Sequence, residues 1–136
     1  MDQYFDKVQN YLLDLDYNIT HTDHAASLFV VNNEQAGIYN LIIDCEDPIL
    51  ILELFLFDLK QADATLLLQL LEMNREVVHG AFALDATNGK VIFRDTLQLE
   101  NLDLNELQAS LNAIELMLCE YSDTLIKMAK NQQLNN

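Results

Sequence analysis

The sequence predicts an α+β fold, an antiparallel sheet with helices in the order α-β-β-β-α-β-β-α. Three observations carry this. Apolar residues recur at helical spacing in YFDKVQNYLL near the start, TLLLQLLEMNRE in the middle and LNELQASLNAIELML near the end. Between the first two of these lie runs rich in β-branched and aromatic residues, broken by Asn, Asp and Gly. Between the last two, an Asn-Gly dipeptide separates two short apolar runs, the strongest local signal for a hairpin. The 136 residues are 51% hydrophobic and 21% charged, a globular composition long enough to bury a core without metal or disulfide support. Residues 1–130 read as a single domain, and the polar NQQLNN at 131–136 reads as a frayed tail.

Phe5, Val8, Leu12 and Leu15 stack on one face of a short first helix, with Asp2 and Asp6 in its first turns, where the helix dipole favours negative charge. YNITHT, SLFVVNN and GIYNLIIDCE then read as three short strands, the third with Tyr39, Leu41, Ile43 and Cys45 on one face. The run PILILELFLFDL differs from these. From Ile49 to Phe57 only Glu53 is polar, so both faces of this stretch are apolar. Gly37 to Phe57 is either one long strand bent near Pro48 or two strands with a turn at CEDP, because proline cannot donate to a ladder in mid-sheet.

Asp63 begins the second helix, whose leucines cover more than half its circumference and so require contacts on two sides. VVHGAFALD is a strand that places Val78, Gly80, Phe82 and Leu84 on one face, and a type I′ turn at Asn88-Gly89 sets Leu84 opposite Phe93. The last helix is specified in most detail. Asp103 at the N-cap, Glu106 three residues on, and Leu102 against Leu107 form a capping box with a hydrophobic staple. Leu104, Leu107, Leu111, Ile114, Leu118, Tyr121, Leu125 and Met128 then alternate steps of three and four. A helix of about 26 residues spans about 39 Å, more than a sheet of short strands covers. An all-apolar strand and an over-long seam exceed what one small sheet can bury, so a homodimer is expected, with Ile51, Phe55, Leu118 and Leu125 as candidate contacts.

LLEMNREVVHGAFALD followed by VIFRDTLQLENLDLNEL resembles the CesT-like (Tir chaperone) class of type III secretion chaperones and the related YbjN-like bacterial proteins. The resemblance lies in a helix ending in a Leu-rich LLxxN turn, a strand with a small residue before an aromatic, and a return strand leading into the long last helix. Leu70, Leu71, Asn74, Gly80, Phe82, Phe93 and Leu97 carry it, and the element order extends it over nearly the whole chain. It implies a small acidic protein-binding module, a dimeric secretion-chaperone-like protein that holds a partner segment in extended form. The YbjN-like relatives imply an alternative, a regulatory or structural protein acting through its own oligomeric state without a client. An extended client needs main-chain bonds at a sheet edge and apolar grooves for alternate side chains. Phe29, Phe55 and Phe57 are the candidate anchors, with burial in the core the competing fate of each.

Charge and motif content narrow the remaining possibilities. With 22 acidic residues against 7 Lys and Arg, the chain lacks the basic footprint that nucleic acid or an anionic membrane surface requires. The start of the chain carries acids where a signal peptide needs bases, and no apolar run reaches the length of a membrane span, so a cytoplasmic protein is expected. Cys45 and Cys119 sit in apolar periodic segments and read as buried free thiols. His21 and His24 flank Asp23 in a short polar segment; three positions apart in a strand they face opposite ways, and without HExxH or CxxC support the segment reads as a polar turn. Asp44, Glu46 and Asp47 lack the alternating ligands and central glycine of a calcium loop. With no GxSxG and no phosphate-cradling glycine loop, no catalytic residue, cofactor or metal is expected.

Overall fold

The computed structural model describes residues 2–134. Helix α1 (Asp2–Asp14) precedes four strands, β1 (Asn18–Asp23), β2 (Leu28–Asn33), β3 (Ile38–Glu46) and β4 (Ile49–Asp58). Helix α2 (Ala64–Glu76) leads to the hairpin β5 (Ala81–Asp85) and β6 (Lys90–Gln98), and α3 (Leu104–Leu134) follows. The strands form one antiparallel sheet in the order β1-β2-β3-β4-β6-β5. The fold class is the one the sequence predicts, with one strand more before α2. Of the two readings open for Gly37–Phe57, the chain takes the turn: Glu46 pairs with Ile49 across a cis Asp47-Pro48 peptide. There the missing proline N–H costs the ladder nothing.

All three helices pack on one face of the sheet. Phe5 of α1 stacks on Phe29 of β2 with ring centroids 4.2 Å apart. Tyr121 of α3 meets Phe82 of β5 edge-on at 6.0 Å, and Ser110 of α3 donates to Asp95 of β6 at 2.6 Å. Burial follows: Leu41, Ile43, Cys45, Leu50, Leu52, Leu54, Val91 and Phe93 are buried, while Ile42, Ile51, Glu53, Ile92 and Arg94, pointing the other way, are half-buried or exposed. Central position explains why β4 is apolar throughout, since β3 and β6 flank it and its inward side chains fill the core.

Four local expectations are corrected. Tyr39 does not share the inward face with Leu41, Ile43 and Cys45; it is exposed and Ile38 is buried in its place. Asn40 takes a left-handed backbone (φ 58°), its N–H donating to Asn32 Oδ1 at 2.7 Å, and this breaks the alternation. The second hairpin closes with Asp85 opposite Lys90 instead of a two-residue type I′ turn, so Leu84 faces Val91 and Phe82 faces Phe93. Asp85 determines this longer loop by accepting from Thr87 N, Asn88 Nδ2 and Gly89 N, and of Asn88 and Gly89 only Gly89 has positive φ. Cys119 is exposed, because it lies on the flank of α3 away from the sheet. Finally, residues 131–134 are not frayed but continue α3: Gln132 is buried, its Oε1 accepting from Lys60 N (2.7 Å) and Gln61 N (2.9 Å) while its Nε2 donates to Gln61 O (3.1 Å). Residues 135 and 136 of the expected tail lie outside the described residues.

The start of α3 is as the sequence predicts. Asp103 Oδ1 accepts from Glu106 N at 2.8 Å, and Leu102 and Leu107 are both buried. The helix is longer than its seam implies, 31 residues, or about 46 Å.

Candidate partner-binding groove

The sheet has a defect between its two central strands. The β3–β4 ladder stops at Ile42–Glu53, although β3 reaches back to Ile38 and β4 runs on to Asp58. Beyond that point β3 pairs only with β2, through Leu41–Val31 and Ile38–Asn33. β4 there pairs only with β6, through Leu54–Phe93, Phe55–Ile92, Phe57–Val91 and Asp58–Lys90. Both strands carry irregularities at this level: left-handed Asn40 in β3 and a register shift at Leu56 in β4. One edge of β4 from Leu54 to Asp58, about 17 Å of strand, therefore has no neighbouring strand inside the sheet.

A groove follows this free edge. Its first part, about 280 Å³, is lined by Gly37 and Tyr39 from the β3 side, Leu54, Phe55 and Leu56 from β4, and Leu118, Ser122, Leu125, Ile126 and Ala129 from α3. The second part, about 240 Å³, shares Phe55, Leu56 and Ala129 and continues to Asp58, Lys60 and Gln133. Leu54 and Leu125 form a buried floor, whereas Tyr39 (53%), Phe55 (49%) and Ile126 (50%) stand out as an exposed apolar rim. Lys90 Nζ lies 4.6 Å above the Phe55 ring while pairing with Asp58 at 3.0 Å. A strand edge without a ladder partner, an apolar floor and aromatic rims can take an extended polypeptide.

The residues singled out from sequence separate clearly. Phe55, Leu118 and Leu125 come together in this groove. Ile51 does not, since it lies half-buried on the open face of the sheet beside Asp44 and Thr96. Phe29 is stacked beneath α1, away from the groove, and Phe57 is almost wholly buried after the β4 shift, contributing only to the lining of the groove's second part. Sequence reasoning missed Tyr39, Leu56, Ile126 and Ala129. For the helical pair a signal existed, as Leu118, Ser122, Leu125, Ile126 and Ala129 form a second stripe beside the main seam.

A second apolar surface lies on the opposite flank. Leu66, Leu70 and Met73 of α2 are buried, but Leu68 (61%) and Leu71 (66%) are exposed beside exposed Leu84 of β5. An apolar cleft of about 200 Å³, lined among others by Leu67, Leu71, Phe82 and Leu84, runs between α2 and β5. Strand addition to β5 is obstructed here. Asn74 donates from Nδ2 to Phe82 O (3.1 Å) and accepts at Oδ1 from Phe82 N (2.6 Å), occupying the edge as a neighbouring strand would. Gly80 precedes this strand at φ 81°, where a Cβ would lie 2.6 Å from Phe93 Cε2.

Among the described residues, two titratable groups stand apart by their surroundings. Asp44, on the open face, has a covered Oδ1 without a hydrogen-bond partner among the described residues. Burial, then Glu46 and Glu53, raise its carboxyl above the usual range. Burial pushes the Cys45 thiol up to about 12, with Asp44 and Glu46 adding to it. His24 rests against the Phe5 ring at 5.2 Å, and no cluster of metal-ligating side chains occurs among the described residues.

Residues 1–131 match the profile of the CesT_Tir_1 family. The chain belongs to that family. Among curated proteins none matches it in sequence. Similar folds occur in "Crystal structure of YbjN, a putative transcription regulator from E. coli", at 16% identity and TM-score 0.68, covering 88% of this chain and 92% of that one. "Structure of the HopA1-SchA Chaperone-Effector Complex" contains a chain at 17% identity and TM-score 0.61, with 86% and 93% covered. A chain in the Yersinia pestis type III secretion chaperone SycH in complex with a stable fragment of YscM2 is 13% identical with TM-score 0.56, with 91% and 98% covered. In this CesT_Tir_1 member the LLxxN asparagine, Asn74, is the residue that closes the β5 edge.

Proposed function

We propose that this CesT_Tir_1 member is a binding protein, not an enzyme, which holds a segment of a protein partner in extended form along the free edge of β4. The observation that carries the reading is the interrupted β3–β4 ladder, with an apolar groove running beside the unpaired stretch Leu54–Asp58. Family membership supports a chaperone-like protein-binding role. Main-chain bonds to β4 supply register, and the apolar floor takes alternate side chains of the segment. Phe55, Tyr39 and Ile126 are the exposed anchors, and Leu118 and Leu125 line the floor. No helix among the described residues is long and apolar enough to cross a membrane. A protein working in the cytoplasm suits this role.

We place a homodimer contact on the other flank, where Leu71 of α2 and Leu84 of β5 are exposed around an apolar cleft and Leu68 is exposed on the same helix. This leaves Phe55, Leu118 and Leu125 to the segment. Capture from the native organism with wild type and with Phe55→Asp tests the reading. The expected result is a partner retained by the wild type alone, with amides of residues 54–58 gaining protection from hydrogen exchange in the complex. Capture of nothing by either form, or of the same protein by both, would favour the client-free regulatory alternative.

A further inference from the structure

The groove lies where this acidic protein collects positive charge. Of 7 Lys and Arg set against 22 acidic residues, one lines its far end, one sits over its Phe55 rim, and one stands on the neighbouring turn of α3. Lys60 lines the groove beside Asp58, Ala129 and Gln133. Lys90 sits over Phe55 and pairs with Asp58. Lys130 is exposed on the bordering turn of α3, four residues beyond the rim residue Ile126 and three before Gln133. Asp58 is the only carboxylate in the lining, and Lys90 already balances it. The two ion pairs among the described residues, Lys90–Asp58 and Arg94–Glu53, leave Lys60 and Lys130 uncommitted. At the near end the lining from Gly37 and Tyr39 to Leu118 and Ser122 carries no charge.

We propose that the segment this groove accepts is an alternating apolar stretch flanked by acidic residues, with its carboxylates at the Lys60–Lys130 end. This rests on the groove reading above and names the chemistry of its occupant. The net charge of −15 would lead one to expect a basic partner. Yet exposed charges more than about 8 Å apart are largely screened at physiological ionic strength. Contacts at the groove end therefore decide selection. There a carboxylate meets the Lys60 ammonium, with Lys130 on the neighbouring helix turn and Asp58 already paired with Lys90, while a lysine in the same place meets like charge.

Selection of random short peptides displayed on phage, at physiological ionic strength and with counter-selection on Phe55→Asp, tests this. Binders are expected to share alternating apolar residues and to show Asp and Glu at a flank several-fold above their frequency in the library. The exposed-side-chain double variant Lys60→Glu with Lys130→Glu should reverse that flank to Lys and Arg. Binders that depend on Phe55 but have neutral or basic flanks would overturn the acidic-segment proposal and leave the groove reading standing. Failure to find any Phe55-dependent binder would overturn both.

Discussion

Asn74 shows how one side chain can stand in for a strand. Its amide satisfies both the N–H and the carbonyl of Phe82 on the outer edge of β5, an edge that would otherwise be open to pairing with another chain. Asn74→Ala leaves two main-chain groups without their partner, and a loss of about 1–3 kcal/mol is expected in urea melts. Asn74→Asp keeps the acceptor and should fall between wild type and the alanine variant. Asp44 makes the opposite kind of prediction. Its raised carboxyl means that the folded state favours the protonated form. Its contribution to stability is therefore present below the unfolded-state pKa and lost as pH rises through the folded one. Asp44→Asn should be more stable than wild type at neutral pH, and the margin should vanish in acid once Asp44 is protonated in both states. A margin that does not change with pH would mean that packing, not charge, causes it.

At the scale of elements, the two ends of α3 are held by different means. The N-terminus relies on a local device, the Asp103 carboxylate capping Glu106 N, and Asp103→Ala should cost about 1 kcal/mol, the usual value for an N-cap. The C-terminal end relies on a long-range one. Gln132 reaches across to the β4–α2 connection and satisfies three main-chain groups of Lys60 and Gln61. Gln132→Ala should therefore cost about 1–3 kcal/mol, because three main-chain groups lose their partner at once and the buried side chain is removed. It should also raise hydrogen exchange at Lys60 and Gln61, which Asp103→Ala should leave unchanged. Comparing the variants by thermal melts and exchange separates loss of helix propensity from loss of anchoring.

At the scale of the molecule, the six-stranded sheet and its helices leave apolar surface exposed among the described residues, notably at the β4 groove and on the α2–β5 flank. Exposed leucines at 61% and 66% on one helix are costly for a monomer. Light scattering should show a dimer at micromolar concentration, and Leu68→Asp with Leu71→Asp should yield a folded monomer. Phe55→Asp should leave the dimer intact. A wild type that stays monomeric, or a Phe55 variant that dissociates, would move the interface or remove it.

The sequence by itself determined the fold class, the helix starts at Asp63 and Asp103, and the sheet-facing side of the first and last helices. These follow from periodicity and capping, which act over a few residues and are written in neighbouring positions. It also singled out Phe55, Leu118 and Leu125 as candidate contact residues, because a strand apolar on both faces and an over-long seam are visible without a structure. Only the tertiary structure decided that these three line one groove while Phe29 and Phe57 are buried. That outcome depends on where a ladder stops, and the stop at Ile42–Glu53 lies beside irregularities at Asn40 in one strand and Leu56 in another. The fate of residues 131–134 was hidden for the same reason. A polar tail appears free until Gln132 meets main-chain groups more than seventy residues earlier in the chain, and no local pattern encodes a contact made at that distance.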